Sequence, residues 1–426
     1  MKKIAVTLLL IFGAFNLYAQ TTLIKAKGYV NVETGELITP ANIVIEGNII
    51  TAINPRSIPE DIEVVDLGDQ ILLPGFMDMH VHLDLDFGPN AFQVVVTESG
   101  SKGALRGAKN AEITLMAGFT TVRNLGQIHY TNELLDVALS EAINEGWITG
   151  PRIIPAGHMI TILGGHGDLS MGQGLAENIL DLGPETGVIN GVNEAIHATR
   201  YQIKHGAKVI KIHATAGVLS TEESVGAQQL SNEEMEAIIE EAERHHIPVG
   251  AHAHGYEGIK NAIRAGVSSI EHGSMLDDEA IQMMIDNNVF LVPTTGLADL
   301  INFDMLPAQN KAKAEYVLPI AKQSLSNAID AGVKVALGSD APVLPHGRNA
   351  YEILAMVDRG MSSAEALRSA TMLPAELIQM EGSLGQIKVG MFADIIGVNE
   401  NPLEAIQTVE KVTFVMKDGI VYKIGD

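Results

Sequence analysis

Ile71-Leu72-Leu73-Pro74-Gly75-Phe76-Met77-Asp78-Met79-His80-Val81-His82 is the stretch whose reading decides the fold. A short apolar run of this kind reads as a buried strand, and side chains on a strand alternate between its two faces. His80 and His82 therefore share a face and can hold one metal ion, while Val81 points away. Four further segments repeat the pattern. Lys211 lies in Ala207-Lys208-Val209-Ile210-Lys211-Ile212-His213 and His252 in Ile247-Pro248-Val249-Gly250-Ala251-His252-Ala253-His254. His272 ends Val267-Ser268-Ser269-Ile270-Glu271-His272, and Asp340 ends Val335-Ala336-Leu337-Gly338-Ser339-Asp340. Each polar group stands at the C-terminal end of a short apolar segment that a helical pattern follows, the place where a β/α barrel assembles its active site.

Working outward, strand and helix patterns alternate over 71–381, with strands beginning near Gly75, Phe119, Arg152, Lys208, Pro248, Val267, Val289 and Lys334. That count, about eight, and the intervening helices predict the α/β class and a (β/α)8 TIM barrel. Ser231-Asn232-Glu233-Glu234 is a capping box that opens a helix through Arg244. Two glycine-rich connections, Met159 to Asn190 and Ala214 to Leu230, are long enough to form substrate walls. Short strands fill the flanks: Leu23–Ala26, Ile43–Ile45 and Ile49–Ile53 on one side, Ala393–Val398 and Val412–Met416 on the other, the last followed by the hairpin signal Asp418-Gly419. We expect them to join as one small composite β-sandwich domain, 20–70 with 382–426.

Lys2 and Lys3, the apolar Ile4–Phe15 and the small residue Ala19 form a signal-peptide pattern over 1–19, shorter than the roughly 20 apolar residues of a membrane span. The expectation is an exported protein, periplasmic or secreted, with no stable membrane anchor. Basic residues number 28 against 52 acidic, a net charge of -24, which argues against nucleic acid as a partner because phosphate binding needs clustered Lys and Arg. The chain has no cysteine, so a metal site must use His, carboxylate and Lys-derived ligands, a set that suits zinc. Assembly into a homo-oligomer is left open.

A lysine within Val209-Ile210-Lys211-Ile212 costs several kcal/mol if buried, charged and unpaired. Its amine can react with carbon dioxide, giving a carbamate that bridges two cations. His252 and His254 share a face, so either is a candidate metal ligand and the other a substrate contact or proton carrier.

Together Pro74–Leu83, Thr120-Thr121-Val122-Arg123, Gly164-Gly165-His166-Gly167-Asp168, Val209–Ile212, His252-Ala253-His254-Gly255, Ile270–Gly273, Gly338-Ser339-Asp340 and Gly390–Ile395 resemble the amidohydrolase superfamily. The resemblance is to the branch with Xaa-Pro dipeptidases, carboxypeptidase-like dipeptidases, ochratoxin-hydrolysing amidases and, further off, imidazolonepropionases. It implies two divalent ions, with His80 and His82 on one, carboxylated Lys211 bridging, His252 and His272 on the other, and Asp340 as ligand and general acid/base. Asn124 and His213 depart from the branch, which usually has Asp and frequently Met there. The implied reaction is hydrolysis of a dipeptide or N-acyl amino acid by a metal-bridging hydroxide, with Asp340 and His254 handling protons. His166, His213, Tyr256, His346 and Arg348 are the candidate contacts for a small-molecule or dipeptide substrate. Alternatives are a cyclic amide hydrolase of the imidazolonepropionase kind, a deaminase, or a non-catalytic metal-binding barrel.

Overall fold

The computed structural model describes residues 21–58, 62–88, 91–168, 182–220 and 224–425. The segment read as a signal peptide and parts of both glycine-rich connections lie outside the described residues.

The run at 71–82 forms two strands, Ile71–Pro74 and Phe76–Val81, divided at Gly75. A Cβ on Gly75 would lie 2.2 Å from Thr120 Oγ1, so only glycine lets the chain pass here. The break moves the chain from one sheet to another. Ile71–Pro74 pairs antiparallel with Ile395–Val398 and parallel with Gly28–Asn31, whereas Phe76–Val81 pairs parallel with Phe119–Asn124. The central α/β region thus starts its parallel pairing at Phe76, a few residues after the expected boundary.

Parallel strands follow in the expected order. Arg152–Pro155, Phe119–Asn124 and Phe76–Val81 make one sheet, and Ile210–His213, Val249–Ala253, Ser269–His272 and Phe290–Val292 make another. Helices intervene, and Asn232–Glu243 carries the expected capping box: Glu234 N donates to Ser231 Oγ while Ser231 N donates to a Glu234 carboxylate oxygen. No sheet among the described residues closes on itself. The eighth strand expected near Lys334 is present only as isolated parallel bridges, Leu291 with Val335 and Val81 with Ala341. Backbone bonds from Met79 N to Leu337 O and from Asp340 N to His80 O, both 2.8 Å, hold that segment between the two sheets. Its regularity fails at Asp340, whose φ of 54° takes it off the extended path. A further parallel bridge, Ile160 with Ile212, spans the other gap.

Both flanks of the chain meet in a six-stranded sheet, ordered Ile420–Ile424, Phe414–Lys417, Ile395–Val398, Ile71–Pro74, Gly28–Asn31, Glu36–Ile38. Asp418 and Gly419 have φ of 51° and 75°, as a two-residue type I′ hairpin requires. A four-stranded sheet, in which Thr21–Ala26 pairs with Ala41–Glu46, shares a buried core with it: Ile24, Ile43 and Ile45 meet Leu72, Ile395 and Phe414. Arg152 ties this unit to the parallel strands by donating to Asp394 and Asp418 at 2.9 and 2.5 Å.

Candidate active site

Register explains why the polar residues converge. His213 pairs with His252 and His252 with Glu271, and neighbours in a parallel ladder share a face; Lys211, two residues before His213, shares it too. His272 follows Glu271 and would face outward on a regular strand, yet it lines the same cavity, because its φ is 68°. Thr294 and Asp340 have φ of 51° and 54° at neighbouring strand ends. Three non-glycine residues in the left-handed region around one cavity mark a site where backbone strain is tolerated for side-chain placement.

His80 and His82 are aimed by partners on their Nδ1 atoms. His80 Nδ1 lies 3.0 Å from Glu271 Oε2, and His82 Nδ1 lies 2.7 Å from the Gly126 carbonyl oxygen. With Nδ1–H donating in each ring, both Nε2 lone pairs are free, and they stand 3.5 and 3.6 Å from Asp340 Oδ1. Glu271 is itself held, since Arg123 Nη2 donates to its Oε1 at 2.7 Å and Ser269 Oγ donates to the same oxygen. Arg123 also donates to the Met79 carbonyl and to Ser269 Oγ. Below Asp340, Asp78 accepts from Ser339 and Asn349 side chains and from the His80 and Ser339 amides.

A second group faces the first. His252, His254 and His272 offer ring nitrogens within 4.8 Å of one another, as do His166, His213 and His252. His254 Nδ1 is 2.7 Å from Ser274 Oγ, His272 Nδ1 is 2.8 Å from Thr294 Oγ1, and His166 Nδ1 is 2.9 Å from Ser220 Oγ. His252 Nε2 and His213 Nδ1 are buried without a hydrogen-bond partner. Buried polar atoms are normally satisfied, so these two nitrogens point to a ligand of this site. Thr294 is braced in turn, because Glu352 accepts from the amides of Thr295 and Gly296 at 2.7 and 2.5 Å.

Burial dominates the electrostatics. It holds His80, His213, His252 and His272 well below the usual imidazole pKa and takes His82 to about 4 and His166 and His254 to about 3. Burial pushes Asp340 up to about 7, Asp78 to about 6 and Glu352 to about 8, and draws Lys211, 1% exposed, down to about 8. Neutral imidazoles with a carboxylate and a deprotonatable lysine are the donor set that a divalent cation takes.

One cavity of about 210 Å³ collects His80, His82, Lys211, His252, His272 and Asp340, together with His166, His213 and His254. The other expected substrate contacts fall outside it. Tyr256 is exposed beside a separate, more open groove. Arg348 pairs with Glu410 at 3.1 Å and stacks over the Tyr351 ring, and His346 Nε2 bonds the Leu85 carbonyl at 3.1 Å without lining the cavity. Asp340 caps no helix: the chain after it turns without forming one. Asn124 accepts from the Leu83 amide at 2.9 Å and donates to Asp136, so this departure from the branch fixes the chain just beyond His82. Sequence reasoning passed over the supporting roles of Arg123, Glu271, Asp78 and Glu352. The signal for two of them was present, since opposite charges within buried strands, here Arg123 and Glu271 on strands of two different sheets, must meet each other or a ligand.

The amidohydrolase family model matches residues 71–421. The chain belongs to the amidohydrolase family. It is a hydrolase acting on C–N bonds. Ochratoxinase from Aspergillus niger is 34% identical over 374 residues, covering 83% of this chain and 76% of that protein. The crystal structure of a Xaa-Pro dipeptidase with bound methionine in its active site is 38% identical, covers 95% of this chain and 100% of its own, and superposes with a TM-score of 0.89. A prolidase complexed with N-methylphosphonate-L-proline shares 32% identity with a TM-score of 0.86 over 95% of this chain and 100% of its own.

Proposed function

We propose that this amidohydrolase holds two divalent cations and cleaves the amide of a dipeptide or N-acyl amino acid. The observation that carries the reading is the placement of two ligand groups, His80 with His82 and Asp340, and His252 with His254 and His272, around one cavity that also contains Lys211. The unpartnered His252 Nε2 and the freed Nε2 atoms of His80 and His82 fit such ions. Zinc suits these ligands, and the parallel strands with the segment through Val335 and Ala341 fit a (β/α)8 barrel. Lys211, with its pKa drawn down to about 8 by burial, gives up its proton more readily than a free lysine and so more readily offers the neutral amine that carbamate formation consumes. Bound cations there would polarise an amide carbonyl and acidify a water.

In the hydrolysis the water oxygen bonds to the carbonyl carbon, the C–N bond breaks, and a carboxylic acid and an amine leave. Asp340, whose Oδ1 stands 3.5 and 3.6 Å from the Nε2 atoms of His80 and His82, is placed to take the proton that water loses and return it to the leaving nitrogen. The Arg123 to Glu271 to His80 chain keeps the ring fixed while this happens. With the signal-peptide pattern at its start, the enzyme would work outside the cytoplasm.

The test is a metal-loaded screen of dipeptides and N-acyl amino acids on the parent, Lys211→Ala and Lys322→Ala. Parent and Lys322→Ala should hold about two ions and cleave part of the panel, and Lys211→Ala should lose both metal and rate, recovering in part with a short carboxylic acid. A fully active parent with one ion, or an active Lys211→Ala with normal metal content, would overturn the reading.

A further inference from the structure

The cavity has two unlike walls. One is the cluster of imidazoles, Lys211 and Asp340 already described. The other is built by two consecutive pieces of chain, the short helix Leu297–Leu300 with its following residue and the long helix Ala308–Ala331. From the long helix Ala314, Val317, Leu318 and Ala321 line the cavity at spacings i, i+3, i+4 and i+7, one continuous stripe of a helix face. Leu297 and Ile301, four apart, extend it. Leu318, Ala321, Leu297 and Ile301 are only half-buried, so the protein itself does not finish covering this concave apolar surface.

No charged side chain of these two pieces lines the cavity: buried Lys313 on the long helix does not line it and donates to the Gly217 and Ser220 carbonyl oxygens at 3.2 and 2.7 Å. Asp299, the one carboxylate on the first piece, does not line the cavity and is paired with both Lys322 and Arg359, at 2.6 and 2.7 Å. Glu315 on the long helix is exposed and does not line it either. Among the described lining residues the charged side chains are Lys211, Asp340 and Asp168, apart from the histidines, and Asp168 accepts from the Gly164 amide at 2.7 Å. A basic substrate side chain laid on the stripe would lose its hydration and meet no carboxylate there; an acidic one would meet no cation. An aliphatic or aromatic side chain would remove apolar surface from water on both partners, about 25 cal/mol per Å².

We propose that this stripe is a specificity lobe, taking a bulky uncharged apolar side chain next to the scissile amide and rejecting basic, acidic and very small ones. The proposal rests on the amide-hydrolase reading and narrows it to one substrate class, with Leu318 and Ala321 as the deciding residues.

The experiment compares two dipeptide series, Gly-Xaa and Xaa-Gly, with Xaa as Leu, Phe, Gly, Lys and Glu, on the metal-loaded parent, Leu318→Glu and Ala321→Trp. In one series the parent should favour Leu and Phe over the other three by at least about tenfold in kcat/KM, the scale that apolar pockets reach. Leu318→Glu should erase that preference and raise Lys relative to Leu by about tenfold, and Ala321→Trp should depress Phe at least about threefold more than Gly. Lys or Glu matching Leu and Phe in both series overturns the lobe, as do unchanged ratios in both variants. To separate this outcome from failure of the hydrolase reading, calorimetry measures binding of the uncleavable analogues in which the amide carbonyl is a methylene. A parent that cleaves no peptide yet binds a Leu analogue at least about tenfold tighter than its Lys counterpart keeps the lobe and discards the reaction; equal affinities discard the lobe.

Discussion

The two imidazole groups of this enzyme are built on opposite plans. Around His80 and His82 every ring has a partner on Nδ1, and behind one of them stands a relay of Glu271, Arg123 and Ser269. In the group of His166, His213 and His252 the rings crowd each other, with centroids 4.2 to 5.2 Å apart, and two of the three keep a buried nitrogen that nothing in the protein satisfies. The first group is braced by the protein's own hydrogen bonds. The second keeps two nitrogens open to a ligand, and this division between a fixed side and a waiting side suits a site that must hold a cation and still exchange substrate.

The largest expected effect comes from the carboxylate on the fixed side. Asp340→Asn should lower kcat by at least about a hundredfold with KM changing much less, the scale for loss of a general acid/base. Metal content is measured on the same sample; a variant that keeps both ions and works within a few-fold of the parent would move the proton path to His254. Next comes the relay. Glu271→Gln keeps the shape but takes the negative charge from behind His80, and the expected cost is about 10- to 100-fold in metal affinity or rate, read by competition with a chelator. An unchanged affinity would mean that the fixed side owes nothing to its support.

Acid distinguishes the groups from the carboxylates beneath them. His82, His166 and His254 have folded pKa values of about 4, 3 and 3, and His80, His213, His252 and His272 lie well below normal, so the unfolded chain binds protons that the folded one refuses. Their contribution is fully present above an unfolded histidine pKa of about 6.5 and is lost as the pH falls toward 4. Asp78, Asp340 and Glu352, raised to about 6, 7 and 8, have the opposite slope, stabilising at low pH and losing that as the pH rises, but the histidines outnumber them. Metal-stripped protein should therefore melt at least about 5 °C lower at pH 5 than at pH 7, and a flat profile would show that the rings are solvated in the free enzyme. The smallest effect is expected on the waiting side. His213→Phe should leave metal content intact and shift kcat/KM by less than about tenfold, differently for different substrates; loss of an ion would make His213 a ligand.

Much of this arrangement was legible in the sequence, and for a physical reason. Lys211, His252 and Asp340 each end an apolar strand-like run, and a polar group there is either at a site or costly. The contacts at Tyr256, His346 and Arg348 were less legible because they sit on turns and helix starts, where periodicity says which residues are near a mouth but not which way they face. The split at Pro74-Gly75 was hidden by continuous apolarity on both sides of it. His272 was found as a polar strand end, but its φ of 68° could not be read, since any L-residue there would have given the same pattern.

Synthesis of the chain gives the composite sheet another meaning. Ile71–Pro74 leads straight into the strand that carries His80, yet the antiparallel partner that flanks it, Ile395–Val398, leaves the ribosome only after all the parallel strands have been made. Until then an apolar strand edge beside the strand of His80 stays open, a template for wrong pairing. A nascent chain stalled before residue 395 would present that edge, and chaperone dependence should fall sharply once the Phe414–Lys417 strand has followed and docked.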